Sequence, residues 1–386
     1  MITLLLGFMP QNKLTEVACW TFVHSLWQGL VLALIAGLVL TVTKRTSPVV
    51  RYGVLLSLLL LFTAATVGTF LIQWTIRADQ VASAGLVDRD LASSPPTVVH
   101  ETKTTSVAYT IQIGSWLEKN SGMIMLAWLL CFAVQCTRIW SGVRYMNRLR
   151  QSATPVAPFW KLKLEEWKKK IGVGLHVQLM HSPLVKVPVM IGLARPLILL
   201  PISLMSHLPP AYIESILLHE LAHIRRRDFA INFIQTLVEA VFFFNPALRW
   251  LSSKVREERE ACCDAIVLQE GNDKRSYLEA LIYFQDQSLK PSLYAMALQS
   301  QPNHLFNRVK RMLTQENNKL NKMEKNMLVL GLVGLSAIAF IPQGSKAVVG
   351  AAQQQRTVQV ALAPAVKDIP VLPAVVSQPT VKKWFR

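Results

Sequence analysis

The chain has 386 residues, of which 52% are hydrophobic, and its formal net charge is +18 at pH 7. Soluble domains are usually less apolar, and the apolar residues here form long blocks, so the composition argues against a soluble globular protein and indicates an integral membrane protein. A chain this basic could bind nucleic acid, but it contains no signature of a DNA- or RNA-binding module, so we predict no direct nucleic-acid binding.

Four apolar segments meet the length and polarity requirements for a membrane-spanning helix. They cover about 16–42, 52–74, 121–141 and 327–343. The sequence thus predicts three spans in the N-terminal part of the chain and a fourth span near its C-terminal end.

The positions of the basic residues predict which side of the membrane each segment occupies. The loop after the first span carries Lys44, Arg45 and Arg51 and no acidic residue, which puts it in the cytoplasm by the positive-inside rule. Loop 75–120 is then external, and the basic segment 142–326 is cytoplasmic. We therefore predict a multi-pass protein of the bacterial cell inner (cytoplasmic) membrane.

Four regions follow from this topology. Residues 1–141 form an N-terminal membrane region, residues 142–326 a cytoplasmic domain, residues 327–343 the last span, and residues 344–386 a short external tail. The tail is rich in Val, Ala, Pro and Gln and is predicted to be disordered.

The cytoplasmic domain has a mixed secondary-structure pattern. Residues 158–170 have helical spacing, residues 175–200 consist of β-branched and apolar runs interrupted by Pro and Gly, and the pattern is helical again from 211 to about 283. We predict a mainly α membrane protein whose cytoplasmic domain is α+β and contains a short, partly open sheet.

A metal-binding pattern lies in the helical part of this domain, where residues 219–223 read His-Glu-Leu-Ala-His. Positions i and i+4 share a helix face, so His219 and His223 offer two imidazoles to one metal ion, and Glu220 beside them is a candidate general base. The pattern is typical of a zinc hydrolase. The alternative is a helix with two histidines that make ordinary hydrogen bonds.

A catalytic zinc ion needs a third protein ligand. The candidate carboxylates downstream are Asp228, Glu239, Glu257, Glu258 and Glu260. Asp228 follows the motif too closely to fold back onto the metal. Glu257 shares a helix face with Glu260 and is the fallback ligand, whereas Glu258 points elsewhere and is interpreted as a solvated surface charge.

A predicted helical hairpin favours Glu260 as the third ligand. As a helix, the apolar run 229–244 would rise about 24 Å, and Asn245 with Pro246 would then end it in a turn. A second helix of similar length returns the chain to the metal near Glu260. Glu239 would then lie about halfway between the metal and the turn.

Three further residues lie close to Glu260 in the sequence. Asp264 follows it by four positions on the same helix face, where it could accept a hydrogen bond from a ligating histidine and fix the tautomer of that ring. Cys262 and Cys263 are adjacent, and adjacent helical side chains point about 100° apart, so the two thiols would not chelate one ion together. We interpret them as buried thiols.

These motifs make the chain similar to the BlaR/MecR-type antirepressor family of membrane zinc metallopeptidases, over most of residues 16–345. The resemblance rests on His-Ser-Leu-Trp-Gln-Gly at 24–29, the motif at 219–223, Phe-Asn-Pro at 244–246 with Trp250, Arg-Glu-Ala-Cys-Cys-Asp at 259–264, and Arg308 with Met312 and Leu313. Polar residues in a spanning helix, here His24, Trp27 and Gln28, indicate either a functional site or helix packing, and we favour packing.

The resemblance implies a zincin-like (gluzincin) fold, with zinc bound by His219, His223 and Glu260 and with Glu220 as the general base. It also implies a zinc metalloendopeptidase, a hydrolase of a signal-transduction system, that cleaves itself or a cytoplasmic transcriptional repressor. The predicted partners are therefore membrane lipid, a repressor or other protein substrate, an external sensor protein and a second copy of the chain.

One feature departs from the family pattern. Its drug-sensing members carry an external penicillin-binding domain after the last helix, acylated at the serine of a Ser-x-x-Lys motif, and residues 344–386 contain no such motif. The expectation is that this chain does not sense a β-lactam directly. Two alternatives stay open: a non-catalytic transmembrane signalling module, and a membrane metalloprotease of the prenyl-protein or heat-shock type.

Overall fold

A computed structural model describes most of the predicted membrane region and the predicted cytoplasmic domain. The described residues are 13–90, 116–117, 119–185, 187–192, 195–202, 209–270, 273–288, 303–317 and 320–339. The predicted tail and most of the predicted external loop lie outside them.

The described chain is mostly helical, as predicted. In chain order its elements are α1 (Lys13–Val42), α2 (Pro48–Asp90), α3 (Ser121–Gln151), β1 (Thr154–Pro155), α4 (Pro158–Ile171), β2 (Gln178–Ser182), β3 (Val189–Ile191), β4 (Leu197–Pro201), α5 (Pro210–Arg226), α6 (Asp228–Val241), α7 (Pro246–Gln269), α8 (Lys274–Ser288), α9 (Asn303–Thr314) and α10 (Lys322–Ala339).

Among the described residues, three helices are long and apolar enough to cross a membrane: Lys13–Val42, Pro48–Ile76 and Ser121–Gln151. They contain the first three predicted spans, and each is longer than the sequence pattern predicted. The predicted fourth span overlaps α10, which begins with a charged turn and is not among these three helices. A count of four spans stays a prediction.

Polar residues of α1 contribute to helix packing. Gln28 on α1 donates a hydrogen bond from Nε2 to Thr69 Oγ1 on α2 at 2.7 Å. Trp27 donates from its indole nitrogen to His24 Nδ1 at 3.0 Å within α1. Gln28 therefore has the helix-packing contact expected for the polar residues of this segment.

A four-stranded sheet of order β1-β2-β4-β3 covers one side of α5. Strands β2 and β4 are parallel, and β3 pairs antiparallel with β4 with Met190 opposite Ile198. Ile198 and Leu200 share a hydrophobic core with Leu217 and Leu221 of α5. The expected short sheet is thus present, and β1, from outside the predicted strand region, adds one edge to it.

Helices α6 and α7 form the predicted hairpin, and Asn245 at the end of the turn between them is fully buried. Asn245 is the N-cap of α7, where its Oδ1 accepts a hydrogen bond from the Leu248 backbone N–H at 3.1 Å. Its Nδ2 donates to the Ser25 carbonyl oxygen of α1 at 2.8 Å. A Cβ atom at Gly29 would lie 2.6 Å from that Nδ2, so the close approach of turn and helix requires glycine.

Polar contacts also join the two arms of the hairpin. Gln235 of α6 donates to the Ser252 carbonyl oxygen at 2.7 Å, and Ser252 donates to Glu239. Glu239 also pairs with Arg256, and it lies partway along the hairpin, as predicted. The second arm therefore returns to α5 with a fixed register.

Replacing Asn245 by alanine should destabilise the protein. The change removes an N-cap worth about 1 kcal/mol and the hydrogen bond from Nδ2 to the Ser25 carbonyl oxygen, worth about 0.5–1.5 kcal/mol more. Asn245→Asp keeps the cap acceptor but sets a buried carboxylate oxygen against the Ser25 carbonyl oxygen, so it should destabilise the protein as well. Thermal unfolding in detergent measures both changes.

The matched control for this prediction is Asn120→Ala, because Asn120 is the N-cap of α3 but makes no side-chain cap hydrogen bond. It should leave the melting temperature almost unchanged. Equal losses in the Asn245 and Asn120 variants would contradict the role given to Asn245.

Candidate metal centre

Helix α5 carries the two histidines of the motif. Its buried apolar side chains, Leu217, Leu218 and Leu221 among them, pack into the core and fix the orientation of the helix. His219 and His223 lie one turn apart, with ring centroids 4.8 Å apart and Nε2 atoms 3.3 Å apart. The spacing predicted from the sequence therefore brings two imidazole nitrogens to one point.

Glu260 of α7 approaches the same point. Its Oε2 lies 3.4 Å from His219 Nε2 and 3.8 Å from His223 Nε2. One ligand atom from each of the three residues lies within 4.8 Å of the other two. Two imidazole nitrogens and one carboxylate oxygen are the donor set of many catalytic zinc sites, so these residues fit a zinc ion.

Tyr277 and Asp264 lie on the Nδ1 side of the His219 ring, away from the nitrogen that faces the proposed metal. The Tyr277 hydroxyl lies 2.9 Å from His219 Nδ1 and donates to Asp264 Oδ1 at 2.6 Å. In the tautomer that binds a metal through Nε2, the Nδ1–H of His219 donates to that hydroxyl. The ring of His219 is therefore oriented by a tyrosine that stands between it and Asp264, whose nearest oxygen is 3.5 Å from Nδ1.

Arg308 of α9 neutralises Asp264. Its Nε and Nη2 donate to the two carboxylate oxygens at 3.0 and 2.6 Å. Burial would raise the pKa of Asp264, but the Arg308 guanidinium outweighs burial and holds this pKa below its usual value. Arg308 Nη1 also lies 3.6 Å from Glu260 Oε2.

His223 is oriented by Asp228, a role that the sequence analysis did not assign to this residue. Arg227 adopts a left-handed conformation, with φ of 57°, between α5 and α6. This turn brings Asp228 Oδ2 to 2.9 Å from His223 Nδ1, on the opposite side of the ring from Glu260. Asp228 therefore does fold back to the motif, although it meets the nitrogen that faces away from the proposed metal.

A second group of metal-ligand types overlaps the first. Cys263 Sγ lies 3.3 Å from His223 Nδ1 and 3.4 Å from Asp228 Oδ2. Burial strongly raises the pKa of the Cys263 thiol and raises that of Cys262 to about 11. Both thiols are fully buried, as predicted.

The two glutamates of the centre have opposite pKa shifts. Burial raises the pKa of Glu220, and the charges of the two histidines only partly oppose this. Burial would also raise the pKa of Glu260, but the charge of His223, the hydrogen bond from His219 and the charge of Arg308 hold it well below its usual value. Glu260 is thus poised as an anionic ligand and Glu220 as a proton acceptor.

Glu258 is buried, so its interpretation as a solvated surface charge was wrong. It is 2% exposed and lies 2.9 Å from an Arg51 nitrogen on α2 and 3.0 Å from an Arg311 nitrogen on α9. The face of α7 that carries Glu258 packs against these two helices. The fallback ligand Glu257 instead forms an ion pair with Lys254 at 2.9 Å.

Membrane-type helices together with a partly buried His-His-Glu cluster and an adjacent glutamate are features of a membrane metallopeptidase. The chain belongs to the BlaR1 peptidase M56 family, whose model matches residues 20–312. The resemblance inferred from the sequence motifs is thereby confirmed.

Two relatives are similar over shorter stretches. The chain is 31% identical over 182 residues to the regulatory protein BlaR1 of Bacillus licheniformis, covering 46% of this chain and 30% of that protein. It is 30% identical over 107 residues to the methicillin resistance mecR1 protein of Staphylococcus aureus, covering 28% of this chain and 17% of that protein. The chain thus matches less than a third of the length of either relative.

Proposed function

We propose that this protein is a membrane-bound zinc endopeptidase of a signal-transduction system, which cleaves itself or a cytoplasmic transcriptional repressor. The observation that carries the proposal is the convergence of His219, His223 and Glu260 beside Glu220. Membership of the BlaR1 peptidase M56 family supports peptide hydrolysis, and a relative named as a regulatory protein supports a signalling role.

The proposed reaction assigns one task to each side chain. His219, His223 and Glu260 hold the zinc ion, which when bound would lower the pKa of a water molecule and polarise the scissile carbonyl. Glu220 accepts the proton of the attacking water and passes it to the leaving amine. Its raised pKa, caused by burial, favours the acceptance of the proton.

An edge strand offers a way to align the substrate. Strand β3 lies at one end of the described sheet and pairs on one side with β4. An extended peptide could add to its other side by main-chain hydrogen bonds. Proline introduced singly at Val189, Met190 and Ile191 tests this, since the substitution that removes an outward N–H should abolish cleavage of a folded protein. Unchanged cleavage in all three folded variants would exclude this alignment.

A cytoplasmic orientation of the centre is supported by an ion pair. Arg51 lies in the first turn of α2, next to the basic loop that the positive-inside rule assigns to the cytoplasm. Its partner Glu258 is two residues from Glu260. The metal centre would then lie at the cytoplasmic end of α2, in the bacterial inner membrane, where it could reach a repressor.

The experiment that tests the function compares protein N-termini in cells that produce the wild-type chain or the Glu220→Gln variant at equal levels. We expect a small set of new N-termini, from this chain or from a cytoplasmic repressor, that occurs with the wild type alone. Identical sets in the two strains would contradict the proposal and favour a non-catalytic signalling module.

A further inference from the structure

The first turn of α2, at the end of a membrane-type helix, contacts the surroundings of the metal centre through two adjacent residues. Tyr52 is 6% exposed, and the guanidinium carbon of Arg226 lies over its ring at 4.6 Å from the centroid. Arg51 is 1% exposed and forms the ion pair with Glu258. Both residues therefore use buried contacts to the helices that carry the proposed ligands.

The contact through Tyr52 leads to His223. Arg226, stacked on the Tyr52 ring, donates from Nε to Asp228 Oδ2 at 3.3 Å. The same oxygen lies 2.9 Å from His223 Nδ1. Because the Arg226 guanidinium lies over the Tyr52 ring and also donates to Asp228, the position of Tyr52 bears on the orientation of the His223 imidazole.

The contact through Arg51 leads towards His219. Glu258 binds both Arg51 and Arg311, and Arg311 lies one helical turn from Arg308 on α9. Arg308 holds Asp264, which accepts the hydrogen bond of the tyrosine behind His219. Two neighbouring side chains of one membrane-type helix thus connect to the two histidines by separate routes.

We propose that the first turn of α2 positions both metal-binding histidines, with Tyr52 and Arg51 as positioning residues, so that a displacement of α2 changes the metal site and its activity. The inference rests on the proposed function and adds to it a means of control. Partners that hold ligating histidines typically change metal affinity by about 10- to 100-fold when removed. Tyr52 acts two residues further out, through Arg226 and Asp228, so a smaller change of about 3- to 10-fold is expected.

The test uses the full-length protein in detergent and reads metal binding directly. Co²⁺ replaces zinc, its affinity is measured by competition with a chelator, and its visible absorption spectrum reports the coordination geometry. Tyr52→Leu should weaken Co²⁺ binding and change the spectrum, whereas Tyr52→Phe, which keeps the ring, should restore both. A purely structural role of Tyr52 would lower the melting temperature and leave the spectrum of the folded protein unchanged.

The matched control is Tyr145→Leu, the same substitution at an exposed position of α3. It should leave Co²⁺ affinity and spectrum unchanged. If Tyr52→Leu fails to fold, Arg226→Lys is measured instead, because it keeps the charge and removes the guanidinium that lies over the Tyr52 ring. Arg225→Lys, at the exposed neighbouring position, is its control.

Each outcome bears on the inference. Wild-type Co²⁺ affinity and spectrum in both Tyr52→Leu and Arg226→Lys would overturn it. A Tyr52→Leu/Arg226→Lys double variant should lose no more Co²⁺ affinity than the single variant that binds Co²⁺ less tightly, because both residues lie on one route. Fully additive losses of affinity would also overturn the inference. The proposed peptidase can fail separately, since an altered spectrum with no cleavage by the wild type would leave the positioning role intact.

Discussion

Purified protein with Glu220→Gln is expected to bind zinc as tightly as the wild type and to hydrolyse peptides about 10²- to 10⁴-fold more slowly, the usual contribution of a general base. The glutamine has nearly the same shape but cannot accept the proton of the attacking water. Because Glu220 is not one of the three converging ligands, the metal should stay in place. Zinc content per chain and the rate of peptide cleavage measure the two halves of this prediction.

Glu214→Gln is the matched control for this result. Glu214 lies on the same helix and accepts a hydrogen bond from the Trp167 indole at 2.9 Å, a contact that glutamine can also make. This variant should keep both zinc and activity. Loss of zinc from Glu220→Gln would instead make Glu220 a ligand, and full activity would remove it from the mechanism.

Arg308→Ala should have the largest effect on stability. It removes two hydrogen bonds from Asp264, a carboxylate that is 4% exposed, and leaves that charge buried without its partner. Breaking such a pair typically costs about 3–5 kcal/mol. We also expect a loss of zinc affinity of about 10- to 100-fold, since Asp264 and Tyr277 hold the ring of His219.

Two comparisons separate these effects. Lys310→Ala changes an exposed residue on the same helix and should leave the melting temperature and zinc affinity unchanged. Arg308→Met combined with Asp264→Leu removes both charges and should recover much of the stability but not the zinc affinity. Wild-type zinc affinity in Arg308→Ala would contradict the role of this network in orienting His219.

The parts of the site that follow from local geometry could be predicted from the sequence. The spacing of His219 and His223 fixes their shared face once the segment is helical. Asn245 and Pro246 mark the turn of the hairpin, and the helical rise of 1.5 Å per residue then brings Glu260 back to the motif. Hydropathy alone was sufficient to predict the three helices that are long and apolar enough to cross a membrane, although not their ends.

The surroundings of the ligands depend on tertiary contacts and could not be predicted in the same way. Tyr277 reaches His219 from 58 positions away and belongs to no motif. Asp228 reaches His223 only because Arg227 takes a left-handed conformation, which is uncommon for a residue other than glycine. Glu258 is buried because α7 packs on α2 and α9, and a helical pattern does not reveal which charged face a neighbouring helix will cover.

Zinc K-edge X-ray absorption of the purified protein tests the central claim most directly, because the structure offers two overlapping ligand groups that differ in sulfur. Binding by His219, His223 and Glu260 predicts nitrogen and oxygen neighbours at about 2.0–2.2 Å and no sulfur. Cys263→Ser should leave that spectrum unchanged. A zinc–sulfur distance of about 2.3 Å that disappears in Cys263→Ser would contradict the account, because it would assign the metal to the group with Asp228 and Cys263.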